Sequence, residues 1–260
     1  MRDLPFWQEI YKYRWLTQQL VARDLKNKYR KSVLGYLWSV LNPLLMMTIM
    51  TVIFSELFRF QIPNYPVYLL AGQLIFTFFS EATTFGMNGV LGNGALIKKV
   101  FLPKYIFTFS NVVSSFITMI FSMVALLIVM IGTGTTFYIT IVLAPVVFLY
   151  VLLFCIGVAL MLSALVVRFR DLNYLWGVVL TALNYLTPIF YPVDILPDWG
   201  QEAMFFNPMF DYINMFRQII LYGNWPTFEE HLICLAFSIG ALIIGGLVFK
   251  AKQKSFILYI

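Results

Sequence analysis

Long apolar stretches with few charged residues constrain this chain more than any other feature of its sequence. Of its 260 residues, 61% are hydrophobic and 12% are charged, whereas a soluble domain is about half apolar and about a quarter charged. A helix needs about 20 apolar residues to cross the hydrocarbon core of a bilayer. The stretches therefore predict an integral membrane protein, and no segment between them is long and mixed enough to form a separate soluble domain.

Six of these stretches have the length expected of membrane-spanning helices. They cover residues 34–58, 66–90, 105–131, 137–167, 172–191 and 232–249, and the fourth is long enough to tilt or to project into the cytoplasm. The predicted fold is all-α: a cytoplasmic interfacial helix and basic segment over residues 1–33, then a six-span transmembrane domain over residues 34–260.

Basic residues predict the orientation of the spans. Sixteen of the 18 Lys and Arg residues lie before span 1, between spans 2 and 3, between spans 4 and 5, or in the tail, which leaves Arg59 and Arg217 on the other side. The positive-inside rule assigns the basic side to the cytoplasm, so both termini are expected there. The net charge of +6 thus reflects topology rather than nucleic-acid binding, because no basic face lies on a soluble module.

An amphipathic helix is predicted over residues 4–25, ahead of the first span. On a helical wheel Phe6, Ile10, Tyr13 and Leu20 share one face, as in a helix that lies on the inner leaflet. Such a helix serves either as a membrane anchor or as a surface that also contacts a cytoplasmic partner. The segment lacks the short apolar stretch and small-residue cleavage site of a secretory signal.

A second short helix is predicted over residues 95–102, in the loop after span 2. Asn93 is expected to cap it and Pro103 to end it, with apolar side chains exposed. The helix is either a docking element or an ordinary connector. The glycines of this loop do not form a phosphate-binding loop, and the chain contains no G-x-x-x-x-G-K-[ST] motif, so ATP hydrolysis has to come from another chain.

The segment of about 40 residues between spans 5 and 6 is too apolar for a solvated loop. Asn207 and Pro208 predict the start of a helix, and Gly223 predicts its end. We expect two short helices that enter the outer leaflet without crossing it, since irregular backbone at that depth must be buried in protein or line a cavity. A pair of interfacial helices that caps the bundle is the alternative.

No metal site or catalytic centre is predicted. Cys155 and Cys234 both fall in apolar stretches and are too few for a metal site. The single histidine, His231, follows two glutamates at a span boundary, where an interfacial role is expected.

Aromatic residues, at 18% of the chain, form a candidate glycan conduit in spans 1, 2 and 5. Flat aromatic faces suit the C–H faces of sugar rings, although packing against lipid or other helices is the alternative. The candidates are Tyr36, Trp38, Phe78, Phe79, Tyr185, Phe190 and Tyr191.

Five motifs occur in order along the chain. They are YRKSVLGYLWSVLNP at 29–43, LIKKVFLP at 96–103, FRDL at 169–172, TPIFYP at 187–192, and Asn207-Pro208 followed by Arg217 and Gly223. Together they resemble the membrane subunit of a type-2 ABC exporter, in particular the branch that exports lipid-linked polysaccharides, O-antigens and teichoic acids. The resemblance covers essentially the whole chain.

The resemblance implies a homodimer in the bacterial cytoplasmic membrane, paired with two copies of a cytoplasmic ABC ATPase subunit that binds ATP and Mg²⁺; this chain itself needs no cofactor. It implies that the loop helix couples to the ATPase, helped by the N-terminal helix, and that the helix pair over residues 192–224 forms an outer gate. The coupling residues are Ala95, Leu96, Ile97, Lys98, Lys99, Val100 and Phe101. The gate residues are Asn207, Pro208, Phe210, Phe216 and Arg217.

Five cations flank the cytoplasmic ends of spans 1, 2 and 3, where a lipid-linked substrate would enter from the inner leaflet. They are Arg30, Lys31, Lys98, Lys99 and Lys104. Anionic phosphates of the lipid carrier are expected to bind there, although topology alone would also place these cations on this side.

The favoured function is export of a glycan on a polyprenyl carrier, and export of small drugs or lipids is the nearest alternative. A membrane glycosyltransferase or acyltransferase is disfavoured, because no cytoplasmic loop is rich in Asp or contains His. A flippase driven by an ion gradient would need an ionisable residue buried in a span, and Glu81 is the main candidate.

Overall fold

The computed structural model describes residues 12–30, 32–54, 62–100 and 102–259, and over these residues it is helical and contains no strand. The helices are α1 Arg14–Tyr29, α2 Trp38–Val52, α3 Tyr65–Met87, α4 Gly89–Gly92, α5 Gly94–Lys99, α6 Tyr105–Gly132, α7 Ala144–Val166, α8 Leu172–Leu186, α9 Asp198–Met204, α10 Pro208–Arg217, α11 Phe228–Lys252 and α12 Phe256–Tyr259. Short 3₁₀ turns at Gly35–Leu37 and Ile139–Leu143 precede α2 and α7, and further ones lie at Val193–Ile195 and Gln253–Ser255. A π-helical turn, Gln218–Tyr222, extends α10.

Four helices among the described residues are long and apolar enough to cross a membrane. They are Gly35–Val52, Tyr105–Gly132, Ile139–Val166 and Phe228–Ser255, and they coincide with predicted spans 1, 3, 4 and 6. Predicted span 2 corresponds to α3, whose 23 residues extend over roughly 34 Å at 1.5 Å per residue but include several polar side chains. Predicted span 5 corresponds to α8, which has 15 residues.

The fifth span was predicted to be longer than the helix that forms. Helix α8 ends at Leu186, and residues 187–191 are not helical. Proline disfavours the α conformation at the residue before it, and Thr187, which precedes Pro188, has an extended ψ of 132°. The segment instead lies against the start of α3, where the Tyr65 hydroxyl donates a hydrogen bond to the Phe190 carbonyl at 2.8 Å.

Contacts between helix ends show that α3 and α8 run antiparallel and that the start of α6 lies beside the end of α11. Tyr65, at the start of α3, contacts the segment after α8, whereas Asn88, at the end of α3, donates to Asn173 at the start of α8 over 2.9 Å. Lys104, at the start of α6, donates to the Gln253 carbonyl just beyond α11 over 2.6 Å. We call the end of the bundle that holds α1, α5 and these last contacts the basic end, because most Lys and Arg residues lie there.

Close approach of α7 and α11 depends on two glycines. A Cβ atom on Gly157 would overlap the backbone of Ala241, and a Cβ atom on Gly245 would overlap the Gly157 carbonyl. Small residues at helix crossings let membrane helices pack backbone to backbone, which increases dispersion contacts where lipid offers no hydrophobic driving force. The α7–α11 crossing therefore requires both positions to lack a side chain.

The N-terminal helix differs from the predicted one in extent. It continues beyond residue 25 to Tyr29, and residues 4–11 of the predicted helix lie outside the described residues. Leu20 and Val21 are buried where α1 packs against α6, so part of its apolar face is covered by protein. Trp15 lies on the other side of the helix and is exposed.

Candidate functional site

The loop helix predicted to couple to an ATPase forms, but it is shorter than expected. Helix α5 ends at Lys99, because Val100 is extended with φ −131° and ψ 134°. The side chain of Asn93 does not cap it. Instead, Nδ2 of Asn93 donates to the Gly89 carbonyl at 2.8 Å, and Oδ1 accepts from Nη1 of Arg23 at 3.0 Å. The Arg23–Asn93 hydrogen bond ties α1 to the loop.

Burial divides the predicted coupling residues. Ile97 is buried and Leu96 is half-buried, so the expectation that these two apolar side chains are exposed is wrong for Ile97. Phe101 lies outside the described residues. The residues of α5 and its end that face outward are Ala95, Lys98, Lys99 and Val100, and we call them the α5 surface.

Helix α10 begins and its π-helical extension ends where the sequence predicted. Asn207 caps α10 by accepting a hydrogen bond from the Met209 amide at 3.1 Å, and Pro208 occupies the first turn. Gly223 ends the π-helical turn with φ +67°, a left-handed conformation that favours glycine. Nδ2 of Asn207 also donates to the Thr187 hydroxyl at 2.9 Å, which links this helix to the segment after α8.

Arg217 is buried and joins three parts of the chain. Its guanidinium donates from Nε to the Tyr68 carbonyl at 3.2 Å, from Nη1 to the Pro188 carbonyl at 2.8 Å and from Nη2 to the Ile189 carbonyl at 2.9 Å. It also lies 3.5 Å from the centre of the Tyr68 ring, in cation–π geometry. A Cβ atom on Gly72 would come within 2.6 Å of Nη2, so glycine makes room for the guanidinium.

The other predicted gate residues lie around this arginine. Phe216 is buried and packs on Phe148 with ring centres 5.3 Å apart, whereas Pro208 and Phe210 are half-buried. The structure therefore brings the irregular segment after α8, helix α10 and the start of α3 together around Arg217. In this arrangement the Arg217 guanidinium holds the three segments in place.

The seven aromatic candidates for a conduit do not share one surface. Phe78, Phe79 and Phe190 are buried in the core, where Phe79 stacks on Phe154 with ring centres 5.8 Å apart. Tyr191 is half-buried. Three of the seven are exposed and could contact a ligand: Tyr36 in the turn before α2, Trp38 at the start of α2, and Tyr185 near the end of α8.

The candidate phosphate-binding cations also differ in their surroundings. Arg30, Lys98 and Lys99 are exposed, and Lys31 lies outside the described residues. Lys104 is half-buried, donates to the Gln253 carbonyl and lies 5.4 Å from the centre of the Phe256 ring. Burial lowers the pKa of Lys104 from its ordinary value. Its ammonium is engaged in holding the C-terminal segment.

A polar cavity of about 980 Å³ lies at the basic end between α1, α3 and α6. The motifs of the sequence did not predict it. Its wall on α3 includes Thr77, Glu81, Thr84 and Asn88, which recur at intervals of three or four residues. Asn111, Ser114 and Thr118 form the matching wall on α6. The periodicity was visible in the sequence, but Ser and Thr in apolar spans also bond to their own helix, as Ser114 does to the Ser110 carbonyl.

Charged groups of this cavity occur as pairs. Arg23 contacts Asp24 with Nη2 and Oδ1 2.8 Å apart, and Lys28 bonds to Glu81. Glu81 is about one-third exposed and paired, so it is not the isolated buried carboxylate that an ion-driven flippase would need. Among the residues that the structure describes, no group of three or more His, Cys, Asp or Glu side chains could hold a metal ion.

Comparison with known proteins agrees with the resemblance drawn from the motifs. A family profile described as "ABC-2 type transporter" matches residues 15–221. The chain is 30% identical over 251 residues to the O-antigen export system permease protein RfbA of Myxococcus xanthus, covering 96% of each chain. It is 30% identical over 236 residues to RfbA of Klebsiella pneumoniae, covering 90% of each. It is 22% identical over 246 residues to the polysialic acid transport protein KpsM of Escherichia coli, covering 92% of this chain and 93% of that one. The prediction of the family is thus confirmed: the chain belongs to the ABC-2 type transporter family of membrane proteins.

Proposed function

We propose that this chain is the transmembrane subunit of an ATP-driven exporter that moves a lipid-linked polysaccharide across the bacterial cytoplasmic membrane. The observation that carries this proposal is similarity along nearly the whole chain to relatives named as O-antigen export system permease proteins and to one named as a capsule polysaccharide export inner-membrane protein. The glycan is an O-antigen, a capsule-like polymer or a teichoic acid, on a polyprenyl carrier.

The proposed topology has six spans with the basic end in the cytoplasm. The antiparallel pairing of α3 with α8 supports these two helices as the two further spans, and the extended residues after α8 complete the fifth crossing. Helices α9 and α10 enter from the outer side without crossing. Burial of Arg217 supports this placement, because a cation at membrane depth must be enclosed by protein and satisfied there.

The proposed assembly is a homodimer with two copies of a cytoplasmic ATPase, which binds ATP and Mg²⁺. The α5 surface contacts the ATPase, and its position beside α1 supports a joint role for both helices. Helix α8 exposes a row of apolar side chains that includes Tyr174, Leu175 and Val178. Together with the exposed face of α2, this row is the surface that a second copy covers.

The proposed glycan path lies along α2 and α8 at that dimer surface, where Tyr36, Trp38 and Tyr185 are exposed. The buried aromatics support these helices from behind. Four cations at the entrance bind the carrier phosphates. They are Arg30 and its neighbour in sequence Lys31, together with Lys98 and Lys99.

The test is to produce the chain with its ATPase in a bacterial strain that lacks its own permease for O-antigen export, and to measure surface glycan. We expect surface glycan to return, and ATP hydrolysis by the purified assembly to rise with lipid-linked glycan. Stimulation by small drugs or phospholipids but not by lipid-linked glycan would contradict the proposal. Robust ATP hydrolysis by this polypeptide without a partner would contradict it as well.

A further inference from the structure

We propose that Lys104 is a positioning residue for the coupling of ATP hydrolysis to transport, because it links the loop that contacts the ATPase to the end of helix α11. Its partners lie in residues 253–259, which we call the C-terminal segment. This inference rests on the proposed function, since it takes the α5 surface as the ATPase contact. It gives Lys104 a role other than binding the carrier phosphates and makes the C-terminal segment part of the coupling path.

Two contacts join Lys104 to the C-terminal segment. Lys104 is the residue before α6, and its Nζ donates a hydrogen bond to the Gln253 carbonyl at 2.6 Å. The ammonium also lies 5.4 Å from the centre of the Phe256 ring, within the range of a cation–π contact. Phe256 is 1% exposed and packs edge-on against Phe249, in the last turn of α11, with ring centres 5.3 Å apart. Lys104 is thereby connected to the end of α11.

The surroundings of Lys104 distinguish it from a cation that only sets topology. Lys98, Lys99 and Lys254 are exposed, whereas Lys104 is half-buried and burial lowers its pKa. Burying an ammonium is unfavourable unless its donors are satisfied. Gln253 is the C-cap of α11, and the last carbonyls of a helix lack partners within the helix and carry partial negative charge. The contact therefore offsets the cost of burying Lys104 and satisfies a carbonyl at the end of α11.

The loop after α3 is held at both of its ends. At the first end Asn93 accepts a hydrogen bond from Arg23 of α1 at 3.0 Å, and at the second end Lys104 bonds to the C-terminal segment. The α5 surface lies between these two attachments and faces outward. Four residues separate Lys99, the last residue of α5, from Lys104, and Pro103 has a fixed φ. A displacement of α5 is therefore passed to Lys104 rather than taken up by a long flexible loop.

The C-terminal segment passes this displacement to a closely packed pair of helices. It continues directly from α11, and α11 packs on α7 so closely that Cβ atoms on Gly157 and Gly245 would overlap backbone. Helices in such backbone contact move together, because no flexible side chains lie between them to rearrange. Helix α7 in turn packs on α3. Lys104 thus extends the effect of the ATPase from the loop and α6 to the α7–α11 pair.

The experiment compares single substitutions in the complete transporter with its ATPase, purified into lipid nanodiscs. Lys104→Met removes the donor and the charge but keeps an unbranched side chain, whereas Lys104→Arg retains both properties. Phe256→Leu removes the ring but keeps an apolar side chain. Lys254→Met is the matched control, because it also removes one cation from the basic end, at an exposed position of the same segment. Each variant is assayed for ATPase co-purification, for melting, and for ATP hydrolysis over a range of lipid-linked glycan concentrations.

We expect Lys104→Met to lower the maximal stimulation of ATP hydrolysis by lipid-linked glycan by about threefold or more, an effect typical of residues that couple two sites. The glycan concentration that gives half of the maximal stimulation should not change, because in this role Lys104 does not bind the carrier phosphates. The ATPase should co-purify in full, and melting should fall by less than about 5 °C, as for the loss of one partly exposed hydrogen bond.

The other variants separate the contact from the charge. Lys104→Arg should retain stimulation within about twofold of wild type, because a guanidinium also bonds to carbonyls and lies against aromatic rings. Lys254→Met should match wild type. Phe256→Leu should lower stimulation by about twofold, and adding it to Lys104→Met should cause little further loss, since both substitutions act on one contact.

Three results would overturn the inference while leaving the proposed function intact. One is stimulation in Lys104→Met equal to that in Lys254→Met. Another is an unchanged maximum with a higher glycan concentration for half of it, which would make Lys104 a phosphate-binding residue. The third is a loss of stimulation that only follows a loss of co-purification or melting in Lys104→Met and Phe256→Leu alike, which would make the contact structural.

Phe256→Leu decides the matter if Lys104→Met fails to assemble. Reduced stimulation in an assembled Phe256→Leu transporter supports the inference, and wild-type stimulation contradicts it. If lipid-linked glycan does not stimulate ATP hydrolysis by the wild-type transporter, the proposed function and this inference fall together.

Discussion

Arg217 provides the sharpest test of how the outer half of this protein is held together. Replacing it with methionine keeps an unbranched side chain of similar length but removes every hydrogen-bond donor. The carbonyls of Pro188 and Ile189 would then lose the guanidinium that bonds to them at 2.8 and 2.9 Å. The Tyr68 carbonyl lies within α3 and keeps its helical hydrogen bond.

The expected loss follows from these two carbonyls. Leaving one buried acceptor unpaired costs about 1–3 kcal/mol, so two cost about 2–6 kcal/mol. Removing the guanidinium also removes the cost of burying its charge, which offsets part of this loss. We therefore expect the free energy of unfolding to fall by about 2–4 kcal/mol. For a chain of this size that corresponds to a melting temperature lower by roughly 5–15 °C.

The assay is thermal unfolding of the purified protein in detergent, followed by the loss of the monodisperse peak in size-exclusion chromatography. Arg168→Met, at an exposed position of the basic end, is the matched control and should shift melting by less than about 2 °C. Arg217→Lys should fall between wild type and Arg217→Met, because one ammonium cannot reproduce the planar fork of a guanidinium. If Arg217→Met melts within about 2 °C of wild type, the cluster does not stabilise the outer half and the reasoning fails.

Three further substitutions test other parts of the structure. Gly157→Ala should lower the free energy of unfolding by about 1–3 kcal/mol through overlap with α11, whereas Gly240→Ala, which meets no atom within 4 Å, should be neutral or slightly stabilising in thermal unfolding. Val100→Asp on the α5 surface should reduce co-purification of the ATPase without changing melting, and undiminished co-purification would place the contact elsewhere. Combined Lys98→Gln and Lys99→Gln should preserve orientation, assayed by accessibility of the termini, and should raise the concentration of lipid-linked glycan needed to stimulate ATP hydrolysis; unchanged stimulation would leave these lysines a topological role only.

Sequence patterns predicted the helices well where a single physical rule sets their limits. Spans 3 and 4 begin and end within about two residues of the prediction, because a bilayer requires a continuous apolar stretch of fixed length. The Asn207-Pro208 start and the Gly223 end were also predictable, because Asn and Pro favour the start of a helix and glycine favours left-handed backbone. The same rule failed at Asn93, whose side chain bonds to Gly89 and Arg23 instead. Family membership followed from five motifs in order along the chain, and the profile match over residues 15–221 confirms it.

Side-chain environment was decided only by tertiary structure. The sequence placed Arg217 among the few cations outside the basic side, but its burial depends on carbonyls from a segment about thirty residues away and on the space beside Gly72. Phe79 and Tyr185 looked equivalent as aromatic residues of predicted spans, yet one packs in the core and the other is exposed. The polar cavity exists because two helix faces and α1 meet at one place. Composition and periodicity report which face of a helix is polar, but which faces meet depends on helix packing, and that packing is set by shape complementarity over the whole bundle.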